Sequence, residues 1–157
     1  MSQDHANVAF FPPLGAAVTV ILILVLSTVF PLDGHDGLPP RTLLAIGCMF
    51  FAFGTGLGLW AVVSFIKAGT HVEPHKPTLS IVTDGPYRLN RNPMYTALIC
   101  AVSGLSIVAF DLWWTLMLVP VFALALHFGV VLREEAYLLS KFGGDYQALL
   151  DRTRRWL

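Results

Sequence analysis

Four long stretches of the chain contain no Asp, Glu, Lys or Arg, and they limit what the chain can fold into. They cover residues 14–30, 43–66, 94–110 and 112–132, and each is 17 to 24 residues long. A helix needs about 20 apolar residues to cross the roughly 30 Å of hydrocarbon in a bilayer. Only 13% of all residues are charged, against roughly 25% in a soluble domain. We therefore expect a single all-α membrane bundle over residues 1–157, with about four spans and a C-terminal interfacial helix.

The charged residues are distributed unevenly around these stretches. Ten Lys and Arg balance ten Asp and Glu, so the chain lacks the overall positive charge that attracts nucleic acid. With four spans, nine of the ten basic residues share the side that holds both termini and residues 67–93, and only Arg41 lies opposite. Basic residues accumulate on the cytoplasmic side of membrane proteins. We therefore expect a multi-pass protein whose polar segments, and hence its active site, face the cytoplasm.

Glycines in the second stretch allow two interpretations. The run Gly54-Thr-Gly56-Leu-Gly58 resembles the glycine-rich turn of a dinucleotide fold, but its spacing is wrong and no strand precedes it. Gly54 and Gly58 also fit the pattern of small residues four apart that lets membrane helices approach closely. We favour helix packing.

The fourth stretch and the residues after it suggest one continuous helix. Pro120 predicts a kink inside it. His127 lies seven residues before Glu134, on the same helix face, and it could line a pocket or bond a neighbouring hydroxyl. We expect the helix to continue to Phe142, to end at Gly143, and to be followed by a short amphipathic helix at the membrane surface.

Two polar loops offer side chains that bind metal ions. Asp33, His35 and Asp36 lie between the first two stretches, and the segment from His71 to His75 follows the second. Glycines or prolines surround both groups and favour solvated turns. We therefore predict no metal site.

Two polar clusters stand out against this apolar background. The first covers residues 79–95, where Asp84-Gly85-Pro86 predicts a turn and Asn92-Pro93 the start of the third helix. The second begins at Arg133-Glu134-Glu135. On one side of a membrane they would form a concave site in which carboxylates hold hydroxyls or an ammonium and aromatic rings attract a cation. The alternative is that the arginines are interface anchors and the glutamates a solvated helix end.

Together these clusters resemble the isoprenylcysteine carboxyl methyltransferase and phospholipid methyltransferase family. The resemblance covers about residues 45–157 and implies an integral membrane enzyme that binds S-adenosylmethionine in a pocket facing the cytosol. It rests on Gly85-Pro-Tyr87-x-x-x-Arg91-Asn92-Pro93-Met94-Tyr95, then Glu134-Glu135-x-x-Leu138-x-x-x-Phe142-Gly143-x-x-Tyr146, and finally Arg155-Trp156.

The resemblance also implies roles for individual residues. Glu134, Glu135 and Arg91 would be catalytic: the glutamates would position the cofactor, and one would accept a proton from an amine acceptor. Arg91 or Arg133 would bind an anionic head group, and His127 is a further candidate substrate contact. The implied cofactor contacts are Leu79, Ser80, Ile81, Val82, Tyr87, Asn92, Pro93, Met94, Tyr95 and Glu134.

The chain departs from the carboxyl methyltransferases at three positions. Those enzymes usually have His where Leu79 and Asn92 stand here, and Arg where Val130 stands. The resemblance therefore implies a lipid-like or amphipathic acceptor with a carboxylate, amine or thiol, without identifying it. Two other hypotheses remain: a membrane reductase related to the sterol reductases, with a nicotinamide cofactor, and a non-catalytic membrane protein of the same fold.

Overall fold

A computed structural model of the protein describes residues 5–32, 38–73, 76–109 and 111–156. Their regular structure is helical, as predicted. In chain order the helices are α1 (Pro12–Val29), α2 (Pro40–Lys67), a 3₁₀ turn (Gly85–Arg88), α3 (Pro93–Ala109), α4 (Leu112–Leu126), a π-turn (His127–Val131), α5 (Leu132–Phe142) and α6 (Gly144–Arg152).

Three helices of the described chain are long and apolar enough to cross a membrane: Pro12–Val29, Pro40–Lys67 and the continuous Leu112–Phe142. Large apolar side chains such as Leu14, Met49 and Leu59 are exposed on the outside of α1 and α2, as expected where lipid is the solvent. These features support an integral membrane helical bundle. The predicted span 94–110 corresponds to α3, whose 17 residues extend only about 25 Å, so the four-span topology stays a prediction.

Helices α2 and α3 pack backbone to backbone. A Cβ added to Gly54 would lie 2.6 Å from the backbone oxygen of Ala97 and from the backbone nitrogen of Ala101, so only glycine permits this approach. One added to Gly47 would lie 2.9 Å from the oxygen of Gly104. The helix-packing interpretation is therefore confirmed at Gly54, whereas a Cβ at Gly58 would make only an ordinary contact of 3.4 Å with Ala97 Cβ. Gly47 and Gly104 extend the close contact beyond the predicted motif.

A second contact region joins α1, α3 and α4. Its buried side chains include Ile23 of α1, Val102 of α3 and Leu126 of α4. At one end of this bundle Asp111 caps α4, because its Oδ1 accepts hydrogen bonds from the backbone N–H groups of Trp113 and Trp114 at 2.7 and 3.0 Å. These contacts fix α4 beside α1 and α3.

The last long helix runs without a break from Leu112 to Phe142 but changes its winding on the way. Pro120 lies inside α4, and α-helical geometry continues to Leu126 before the π-turn begins at His127. The helix then ends at Phe142 as predicted, because Gly143 takes φ +53°, a left-handed conformation that glycine adopts at low cost. Helix α6 folds back from there, and its Tyr146 and Leu149 are buried.

Candidate active site

A cavity lies at the end of the bundle where the N-terminal segment, the loop between α2 and α3, and α5 with α6 come together. Together with its solvent-filled mouth it measures about 840 Å³. The structure thus brings the two predicted polar clusters to one place. Predicted site residues on its wall are Ser80, Ile81, Val82, Tyr87, Arg91, Asn92, Met94, Tyr95, Glu134 and Glu135.

The turn at Gly85 places Tyr87 in this wall. Gly85 has φ +63°, and an added Cβ would lie 3.0 Å from the Trp60 indole nitrogen, so the turn sits directly on α2. Tyr87 is only 6% exposed, and its ring centroid lies 5.2 Å from that of Phe65. Burial, and secondly the charge of Glu134, raise the pKa of Tyr87. It therefore stays neutral and offers the cavity an aromatic face.

Glu134 presents a carboxylate to the cavity. The hydroxyl of Tyr95 donates a hydrogen bond of 2.7 Å to Glu134 Oε1. Among the residues that the structure describes, Oε2 has no hydrogen-bond partner. One oxygen is therefore fixed by the protein, and the other is available to a ligand.

Glu135, by contrast, is fully engaged by two arginines. The Arg155 side chain donates to both of its oxygens, with an Nη2–Oε2 distance of 2.7 Å, and Arg91 Nε donates to Oε1 at 3.2 Å. Arg91 Nη1 donates in addition to the backbone oxygens of Leu150 and Thr153. The hydrogen bond to Glu135 raises the pKa of Arg155, which stays charged. This network ties α5 to the C-terminal segment.

The Asn90-Arg91-Asn92 sequence before α3 adds further hydrogen bonds to the C-terminal segment. Asn90 is 1% exposed, and its Oδ1 accepts the backbone N–H of Asn92 at 2.9 Å. The Asn92 side chain donates to the backbone oxygen of Arg155 at 3.1 Å, and the Arg91 N–H donates to that of Arg154 at 2.9 Å. Asn92 thus lines the cavity and also holds the segment that carries Arg155.

Four predicted site residues lie outside the cavity wall. Leu79 is 58% exposed, and Pro93 starts α3. Arg133 Nη1 donates to the backbone oxygen of Asn7 at 3.1 Å. His127 contacts Trp156, with 3.4 Å between Nδ1 and the indole nitrogen, instead of a pocket or a hydroxyl.

Several residues on the wall were not predicted as site residues, although two of them, Leu138 and Tyr146, belong to the family motif. They come from the N-terminal segment, the end of α2, the following loop, α5 and α6, and the sequence carries no local signal that brings these segments together. His71 and Glu73 of the proposed metal loop are among them, whereas His75, like Asp33, His35 and Asp36, lies outside the described residues. The additional residues are Ala6, Phe65, His71, Val72, Glu73, Thr78, Tyr137, Leu138, Tyr146 and Leu149.

The model of the phospholipid methyltransferase family (PEMT) matches residues 42–145, about two thirds of the chain. The chain belongs to this family. The match includes every predicted cofactor contact and confirms the resemblance drawn from the two motifs. Membership of the phospholipid methyltransferase family indicates a membrane methyltransferase and favours that hypothesis over the reductase.

Two individual proteins are also similar in sequence to this chain. The nickel-cobalt-cadmium resistance protein NccN of Alcaligenes xylosoxydans xylosoxydans is 27% identical over 140 residues, which are 87% of this chain and 58% of NccN. The chain thus spans little more than half of that relative. An uncharacterized protein of Haemophilus influenzae is 39% identical over 61 residues, 34% of this chain and 97% of that protein. No solved structure gives a significant match.

Proposed function

We propose that this member of the phospholipid methyltransferase family is an S-adenosylmethionine-dependent methyltransferase that acts at the cytoplasmic membrane face on a lipid-like or amphipathic acceptor. The observation that carries the proposal is the Glu134 carboxylate, bound through one oxygen by Tyr95, on the wall of an aromatic cavity. The two motifs of the sequence meet at this bond.

The residues present suit the cofactor. S-adenosylmethionine carries a sulfonium, an ammonium and ribose hydroxyls, and when bound it supplies an electrophilic methyl group. The free oxygen of Glu134 can accept hydrogen bonds from the ammonium or the hydroxyls. The faces of Tyr87 and Tyr95 attract a sulfonium by cation–π contact. Ser80, Ile81, Val82, Asn92 and Met94 form further wall around these groups.

Most of the catalytic effect would come from positioning. Methyl transfer needs little acid or base chemistry, so holding donor and acceptor in line and excluding water dominates. Glu134 touches the cavity through a free oxygen and could accept a proton from an amine acceptor. Glu135, Arg91 and Arg155 bind one another, and we assign them a positioning role for the wall that carries Glu134.

The charged residues that line the cavity indicate which class of acceptor it can bind. Among the described lining residues, Glu73, Glu134 and Glu135 are acidic, and Arg91 is the one Lys or Arg. Arg91 already binds Glu135 and two backbone oxygens. Val130, which stands where the carboxyl methyltransferases have Arg, is fully buried in the core. Glu135 is neutralised by Arg91 and Arg155, and Glu73 pairs with Lys76. The described wall thus offers the carboxylate of an acceptor no free guanidinium, which favours an amine or thiol acceptor.

The name of NccN concerns resistance to nickel, cobalt and cadmium. Among residues 5–32, 38–73, 76–109 and 111–156, no three His, Cys, Asp or Glu side chains are grouped closely enough to hold a metal ion. We therefore base the proposal on the cavity and not on that name.

Calorimetric titration of the purified, detergent-solubilised protein tests the proposal. We expect heat of binding with S-adenosylmethionine and none with NADPH, and loss of that heat in Glu134→Gln. Asp151→Asn is the matched control, since Asp151 is exposed and accepts a hydrogen bond from Gln147 on α6, away from the cavity wall. Binding of NADPH alone, or of neither compound, would refute the proposal. Transfer of labelled methyl groups into lipid extracts and prenylated peptides would then identify the acceptor.

A further inference from the structure

The segment before the first membrane helix forms part of the cavity. Residues 5–10, here called the N-terminal strap, have alternate side chains directed into the protein. Ala6 is 3% exposed and lines the cavity, while Val8 and Phe10 pack against the core that contains Leu126 and Val130. The strap is therefore a packed wall of the site.

The π-turn anchors the strap. The N–H of Ala9 donates to the backbone oxygen of Gly129 at 2.8 Å, and Arg133 binds the backbone oxygen of Asn7. A π-turn shifts backbone groups out of the regular helical pattern and is frequent at functional sites. A Cβ added to Gly129 would lie 2.9 Å from Phe10 Cε1 and 3.4 Å from Ala9 Cβ, so a larger residue there pushes against the Phe10 ring of the strap.

The strap also borders a second concave surface. Phe10 lines an apolar groove between α1 and α4, together with residues such as Leu14, Val18 and Val121. Four residues of extended chain reach at most about 14 Å, so Ala6 in the cavity and Phe10 in the groove are no further apart. The groove lies between two candidate membrane spans. The strap thus lies between a surface suited to hydrocarbon and the cavity that contains Glu134.

Most of the cavity wall lies within the family match, whereas the strap, like Tyr146 and Leu149, lies outside it. Residues 42–145 match the family model and include all the proposed cofactor contacts, while the strap lies before them. We propose that the N-terminal strap is the acceptor-side wall of the cavity and selects amphipathic acceptors, whose apolar tail occupies the α1–α4 groove, without setting the cofactor affinity. This inference rests on the proposed function.

Thiol labelling tests the anchoring without requiring activity. Ala6→Cys in a Cys48→Ser, Cys100→Ala background should react slowly with N-ethylmaleimide, because the position is buried. Adding Gly129→Val should accelerate the reaction at least tenfold, whereas Gly56→Val should not, since nothing lies within 4 Å of a Cβ at Gly56. If Gly129→Val does not fold, Arg133→Gln, which removes the bond to Asn7, should accelerate the labelling at least threefold. Equal rates in the folded anchor variant and the control would overturn the anchoring.

Protection of the same thiol tests the assignment to the acceptor. Palmitoyl lysophosphatidylethanolamine, which has an amine head and one tail, should slow labelling of Ala6→Cys at least fivefold, and phosphoethanolamine without the tail should not. The affinity for S-adenosylmethionine should change less than twofold in the folded anchor variant. Stronger protection by S-adenosylmethionine alone, a tenfold loss of its affinity in that variant, or no protection by the lipid would overturn the proposal. Failure of wild-type protein to bind S-adenosylmethionine would instead refute the proposed function, while the labelling still decides the anchoring.

Discussion

Tyr95 and Glu134 are joined by a hydrogen bond of 2.7 Å that links the first turn of α3 to the first turn of α5. The two residues are 39 positions apart in the chain, and each belongs to a different motif of the sequence. Because the bond fixes only one carboxylate oxygen, it orients Glu134 and leaves the other oxygen facing the cavity. Orientation of this carboxylate is the property on which the proposed cofactor site depends.

The Tyr95→Phe change should weaken binding of S-adenosylmethionine about fivefold, because a hydrogen bond contributes roughly 1 kcal/mol. In a Glu134→Gln background the same change should have less than a twofold effect, since the oriented charge is already gone. Calorimetry on the four proteins of this double-mutant cycle measures the coupling. Equal effects of Tyr95→Phe in both backgrounds would show that the tyrosine acts independently of Glu134.

The Glu135→Ala change should lower the free energy of unfolding by about 3–5 kcal/mol, because it leaves a buried arginine without its partner. The side chains of Glu135 and Arg91 are only 11% and 10% exposed. Asp84→Ala is the matched control: Asp84 also binds an arginine, but its side chain is 82% exposed, so its removal should cost about 0–1 kcal/mol. Unfolding in detergent measures both, and similar losses would exclude a special role for the Glu135 network.

The helices themselves were largely predictable from the sequence. The charge-free stretches located each long helix to within a few residues, because lipid excludes charged side chains from the same positions that must be helical. The predicted starts at 14 and 43 are late, since Pro12 and Pro40 begin α1 and α2. Proline suits the first turn of a helix, and Arg41 is tolerated there because it lies at a helix end.

The residues of the site were predictable only where they belong to one of the two sequence motifs. The glutamate pair gave no indication that Glu134 bonds Tyr95 while Glu135 binds Arg91 and Arg155. Adjacent residues of a helix differ in direction by about 100°, and these partners come from α3, the loop before it and the C-terminal segment. The N-terminal strap gave no signal either. Its bond to Gly129 joins residues 120 positions apart and depends on a π-turn, and neither leaves a periodic pattern in the sequence.

The Asp111→Ala change should destabilise the protein by about 0.5–2 kcal/mol, which is the usual cost of losing an N-cap. Asp111 is 6% exposed and accepts the N–H groups of Trp113 and Trp114, which would otherwise lack partners at the start of α4. Asp111→Asn keeps a capping oxygen and should lose less than half as much. Thermal unfolding of the two variants in detergent checks this, and equal losses would show that the charge matters more than the cap.

The Gly54→Ala change should destabilise the contact between α2 and α3 by about 1–3 kcal/mol, the usual cost of overpacking. The added methyl would meet backbone atoms of Ala97 and Ala101 at 2.6 Å, and backbone cannot rotate away as a side chain would. Gly56→Ala places the same methyl two residues along the same helix, with nothing within 4 Å. It should leave stability unchanged or raise it by up to about 1 kcal/mol, because alanine favours the helix more than glycine does. Since α3 carries Tyr95, Gly54→Ala should also weaken binding of S-adenosylmethionine. Equal unfolding midpoints for the two variants would show that the helices pack less closely than the structure indicates.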